Sequence, residues 1–135
     1  MKNPAQKRIY SREKDEQMAL VQWLRLKNIP FVAHMTGVNL HGNFALMNTL
    51  KQTGCLQKGV PDLFIPVPRK REYCKLKCAG HEKYGLWIEM KKEKGGVLSS
   101  EQKEWLEARF ADGYEIAVCH GADEAIKIIQ NYLEG

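Results

Sequence analysis

Three short apolar runs constrain this chain's fold more than any other feature. "DLFIPV" (62–67), "GLWIEM" (85–90) and "YEIAVCH" (114–120) are too short for ordinary helices. Their β-branched and aromatic content reads as strand. A weaker run, "IPFVAHM" (29–35), carries Pro30 near its start and reads as a further short strand. Segments of helical period separate them. Ser11 can cap "REKDEQMALVQWLRLK" (12–27), where Lys14, Met18, Val21 and Leu24 follow helical spacing and Leu20 and Trp23 widen the apolar stripe. "FALMNTLKQTG" reads as a helix closed by Gly54, and "SSEQKEWLEARFADG" as one with a Ser cap and closing Gly113. "ADEAIKIIQNYLEG" is a last amphipathic helix. The predicted order is α-β-α-β-β-α-β-α, an α/β sandwich around a mixed sheet.

With 135 residues, 44% of them hydrophobic and 27% charged, the chain suits a single folded domain with one core. We divide it into a tail (1–10) and a domain (11–135), with a basic hairpin connection, "PRKREYCKLKCAGHEKY" (68–84), projecting from the sheet. No apolar run approaches the roughly 20 residues that span a bilayer. The N-terminus lacks an apolar signal core, so a cytoplasmic location is expected. The net charge of +5 suits a polyanion without requiring one. Cys74, Cys78 and His81 supply three zinc ligands at most, where a structural site wants four; the plainer reading is a basic surface loop.

The run at 85–90 carries an anomaly: Glu89 and the Lys91 that follows, two residues apart, point to one face of an otherwise apolar strand while Met90 points to the other. An ion there is costly unless it is paired or binds a metal. Asp62 opens the preceding strand after the Gly59-Val60-Pro61 turn, and reaches Glu89 if the two strands are neighbours. Adjacent carboxylates repel unless a cation lies between them, and a hard ion such as Mg²⁺ prefers such oxygen ligands. The alternative is an ordinary cross-strand salt bridge from Asp62 or Glu89 to Lys91.

"EKDEQMALVQWLRL", "KGVPDLFIP" and "LWIEMKKEKGGVLSSEQKEWLEARFADGYEIAVCHGADEAIKIIQNYL", in that order, resemble the VRR-Nuc family. These are the virus-type replication-repair nucleases of the PD-(D/E)-x-K superfamily, and the similarity runs from about residue 13 to 133. The resemblance implies a restriction-endonuclease-like fold, with a mixed central sheet flanked by helices. It implies Asp62 and Glu89 as the two strand carboxylates, Lys91 as the lysine of the E-x-K element, and the Met90 carbonyl as a further metal ligand. Glu13, with Gln17 one turn later, matches a family glutamate–glutamine pair on the first helix, and Glu16 competes with Glu13 for that place. Gln102 matches a glutamine that follows the E-x-K strand.

By the same resemblance, the expected activity is Mg²⁺- or Mn²⁺-dependent DNA hydrolysis. Small stand-alone, phage-type members act as homodimers on branched DNA such as Holliday junctions. A flap or single-strand nuclease, and a DNA-binding module that has lost catalysis, are the rival readings. The chain departs from the family at "HMTGVNLHGN", where a Pro-Asn-rich loop is common, so His34, Asn39 and His41 take no catalytic role. Arg69, Lys70, Arg71, Lys75 and Lys77, interleaved with Tyr73, suit contact with phosphates.

Overall fold

The computed structural model describes residues 13–34, 43–69 and 83–134. Eight elements follow in the expected order: α1 (Glu13–Leu26), β1 (Val32–Ala33), α2 (Phe44–Gln52), β2 (Leu63–Ile65), β3 (Leu86–Lys91), α3 (Ser100–Ala111), β4 (Glu115–His120) and α4 (Ala122–Glu134). The strands form one mixed sheet in the order β1-β2-β3-β4. β1–β2 and β2–β3 are antiparallel, whereas β3 and β4, joined through α3, run parallel. Parallel neighbours need a crossover of this kind, since a tight turn can only reverse the chain. The antiparallel bridge between Arg69 and Lys83 closes the base of the predicted hairpin connection. No helix among the described residues is long and apolar enough to cross a membrane.

The sheet separates two environments. On one face Leu63, Ile65, Leu86, Ile88, Met90 and Cys119 pack against Leu20 and Leu24 of α1 and Ala125, Ile129 and Tyr132 of α4, all essentially out of water. On the other, Phe64 stacks on Trp87 at 4.4 Å, and Trp105 of α3 meets Trp87 edge-on at 5.8 Å. The Tyr132 hydroxyl donates to the Val67 carbonyl (2.7 Å), tying the end of α4 to the chain leaving β2.

Three sequence expectations shift. β1 is two residues long rather than seven: Pro30, just before it, has no N–H for a ladder, and pairing continues only as the His34 N–H donating to the Asp62 carbonyl (2.8 Å). β2 stops at Ile65 because Pro66 likewise has no donor, and Asp62 lies immediately before the strand. In α1 Met18 is 53% exposed, while Leu20 and Leu24 carry the buried stripe. Trp23 is only partly buried against the core.

Burial separates the two kinds of α1 position sharply. Leu24→Ala should lower unfolding free energy by about 2–5 kcal/mol, and Met18→Ala should change it by less than about 0.5 kcal/mol, as read by urea denaturation.

Candidate active site

The β2–β3 register pairs Leu63 with Ile88. One step further along the same ladder, Asp62 faces Glu89 from the neighbouring strand, on the face that also carries Trp87 and Lys91. Asp62 and Glu89 are each 1% exposed, and Lys91 is 8% exposed. The Asp62 carboxylate (Oδ2) accepts the Met90 N–H at 2.7 Å, which pins it to the β3 backbone. Because the Met90 side chain is buried in the core, only its backbone is available on the Asp62 side.

The Glu89 oxygen Oε1 accepts from Gln102 Nε2 (2.6 Å) and lies 3.2 Å from the Lys91 ammonium. Gln102 Oε1 in turn accepts from Lys91 Nζ (3.1 Å) and from the Ser99 N–H (2.9 Å). The Gln102 N–H donates to Ser99 Oγ (3.1 Å), completing a capping box at the start of α3. The residue that caps the helix therefore also holds the acid and the base of β3. The other Glu89 oxygen, Oε2, is buried and has no partner among the described residues. A carboxylate oxygen in that state costs free energy unless something else takes up its lone pairs.

The electrostatics agree. Burial, and then the charge of Asp62, push the Glu89 carboxyl up to about 7, with Lys91 acting in the opposite direction. Burial and Asp62 also raise the Glu13 carboxyl, against the pull of Lys91 and Lys92. Three acids thus meet at one end of the sheet with a single buried lysine between them. This donor set fits a hard divalent cation: two buried carboxylates, one orphaned oxygen, and a third carboxyl within electrostatic reach. No group of three or more His, Cys, Asp or Glu side chains among the described residues forms a ready cage. Mg²⁺ needs none, because it keeps several waters and is held through one or two carboxylates.

The two glutamates of α1 have different surroundings. Glu16 Oε2 accepts the Ala122 N–H at 2.6 Å, so its carboxylate caps α4. Glu13, one turn earlier, lies within electrostatic reach of Asp62 and Lys91. Gln17 follows Glu13 on the same helical face and makes no side-chain hydrogen bond among the described residues. His34 is half-buried, and its Nε2 accepts the Gln57 N–H (3.2 Å). Arg69 exchanges backbone hydrogen bonds with Lys83. Asn39, His41, Lys70, Arg71, Tyr73, Cys74, Lys75, Lys77, Cys78 and His81 lie outside the described residues.

Two positions that shape the site were missed by the sequence reading. Gly59 has φ +85°, and a Cβ there would lie 2.9 Å from the Glu101 backbone, so the turn before Asp62 is docked directly onto the first turn of α3. A Cβ on Gly96 would come within 2.7 Å of the Lys91 Cβ, so the turn after β3 lies against the lysine stem. Glycines beside "VPD" and after "KKEK" were the available signals, but neither says what the backbone approaches.

A model of the VRR-NUC domain matches residues 5–123. A solved structure titled "VRR_NUC domain protein" superposes with a TM-score of 0.66 at 24% identity, covering 93% of this chain and 90% of that one; at this identity the likeness bears on the fold. No curated protein matches.

A raised carboxyl pKa has a definite consequence for stability. Between the ordinary value of 4.5 and about 7, the native Glu89 carboxyl binds its proton more tightly than the unfolded chain does. Stability therefore falls as pH rises through that window. In EDTA the protein should melt at a higher temperature at pH 5 than at pH 8. Glu89→Gln should flatten the difference, and millimolar Mg²⁺ or Mn²⁺ should raise the melting temperature more at pH 8 than at pH 5, by differential scanning fluorimetry.

Proposed function

Because this chain belongs to the VRR-NUC domain family, a family of nuclease-type domains, we propose that it is a divalent-metal-dependent DNA endonuclease selective for branched DNA. We propose further that it resolves Holliday junctions as a homodimer. The single observation that carries the catalytic reading is the buried, half-satisfied Glu89 carboxylate directly across from Asp62. A salt bridge to Lys91 alone would leave Oε2 orphaned and the Asp62–Glu89 repulsion uncompensated.

In this reading Asp62, Glu89 and the Met90 carbonyl hold Mg²⁺ or Mn²⁺, with Glu13 joining directly or through water. When bound, the ion supplies Lewis acidity toward a phosphoryl oxygen and the attacking water. Lys91 Nζ neutralises charge developing on the phosphoryl oxygens or orients that water. Gln102 keeps Glu89 and Lys91 in one geometry through its two bonds, and Gln17 extends the polar face that Glu13 begins. The water oxygen bonds to phosphorus, giving up one proton to solvent, as the phosphorus–sugar oxygen bond breaks, and the leaving oxygen takes a proton from solvent. A twofold pair of such sites would cut two strands symmetrically.

Incubation with four-way junction, flap, single-stranded and duplex DNA, in Mg²⁺, Mn²⁺ or EDTA, tests this. Paired symmetric nicks on the junction are expected with metal and none in EDTA, with a dimer on sizing chromatography. Cleavage restricted to flap or single-stranded DNA would favour that rival instead. Asp62→Ala and Lys91→Ala should each remove at least about 99% of the rate, equivalent to roughly 3 kcal/mol of transition-state stabilisation; parental rates in both would sink the nuclease reading. Gly96→Ala, which crowds the Lys91 stem, should slow cleavage by about tenfold or more while the fold is retained by circular dichroism.

A further inference from the structure

Beside the carboxylate cluster, on the far side of Gln102, lies an open cleft of about 410 Å³. Leu56 and Val60 give its lining apolar surface, Ser99 and Gln102 polar groups, and Lys51 and Lys58 positive charge. Its two walls are fixed to one another: Gly59 abuts the Glu101 backbone, and the His34 ring accepts the Gln57 N–H that opens the same loop. The cleft is therefore largely pre-formed, as ligand sites usually are. Its shared residue, Gln102, is bonded to Glu89 and Lys91, so one side chain separates the cleft from the acidic cluster.

The charges in it are unequally committed. Lys51 makes no ion pair among the described residues. Lys58 pairs with Glu101 at 2.9 Å, with their side chains 81% and 41% exposed. The hydrogen bond from Lys58 is the main cause lowering the Glu101 carboxyl, though solvent screens a pair in this position. A pair this exposed is held weakly and can exchange partners.

We propose that this cleft receives the backbone phosphates of the DNA strand being cut, with Lys51 and Lys58 as its phosphate contacts, and that Glu101 competes with the strand for Lys58. The proposal rests on the nuclease reading for the identity of the strand. The apolar lining of the cleft accepts sugar without reading sequence, while the lysines neutralise phosphate and release counterions. Glu101 then acts as a displaceable stand-in for phosphate, which lowers affinity for the strand.

Binding of a fluorescent four-way junction, followed by anisotropy in EDTA over a series of salt concentrations, tests the proposal without cleavage. Lys51→Ala and Lys58→Ala should each weaken binding roughly fivefold and reduce the salt slope by about one. Lys58→Gln, which keeps most of the stem, should behave like Lys58→Ala. Glu101→Gln should tighten binding about two- to threefold. Lys127→Ala, on the exposed side of α4 and across the sheet, serves as the control for net charge. The proposal is overturned if Lys127→Ala matches the cleft variants, if the cleft lysines leave affinity and slope unchanged, or if Glu101→Gln weakens binding. Failure of the parent to cut DNA with metal would remove the nuclease reading, and the binding series would still report on the cleft.

Discussion

Asp62 and Glu89 face each other across neighbouring strands, both almost wholly out of water, and much of the surrounding architecture answers what that proximity costs. Removing an ionised carboxylate from water costs several kcal/mol even after relaxation. Two side by side cost more, since like charges repel, and the charge of Asp62 adds to burial in raising the proton affinity of Glu89. The compensation is local. Asp62 takes a backbone N–H, and Glu89 takes a glutamine N–H and an ammonium. The apolar face of the sheet, with the α1 and α4 packing that covers it, supplies the hydrophobic stabilisation against which this polar end is held. Each face of β3 thus depends on the other.

The same economy governs how α1 is placed. Leu20 and Leu24 bury one stripe of the helix, and Glu16 caps α4 with a charge-assisted bond from a backbone amide 106 residues away in sequence. These anchors fix both the rotation and the axial position of α1. Glu13, on its first turn, is then carried to the end of the sheet, where it makes no hydrogen bond or ion pair among the described residues. In the proposed mechanism that freedom would let its carboxyl follow the ion or its hydration shell.

Most of the element order was legible from period and caps, because the helices carry end signals and the strands are bounded by Gly and Pro. The shared face of Glu89 and Lys91 was legible too, since strand alternation admits no other arrangement. The contact of Asp62 with Glu89 was conditional on strand neighbourhood, which no local pattern states. That the Ala122 amide donates to Glu16, giving it surroundings unlike those of Glu13, is encoded by no spacing within α1. Met18 and Leu20 lie on a stripe too wide for sequence to say which half turns inward. Gly59 and Gly96 were visible as turn residues, yet their role comes from the distant backbone and side chain they allow to approach.

Register is where the core and the candidate site become one problem. Leu86, Ile88 and Met90 are completely buried on one side of β3, and Glu89 and Lys91 share the other side with Trp87. A slip of one residue would send both charged side chains into the apolar core and turn three buried apolar ones toward the acidic cluster. Burying two charges without their partners would cost far more than the few kcal/mol by which a domain of this size is stable. The native register is therefore enforced by the hydrophobic face, and the bond from the Met90 N–H to Asp62 is made within it. The position of the acids is a consequence of where Leu86, Ile88 and Met90 must go, so a core mutation on β3 that leaves every charged residue intact would still move the site.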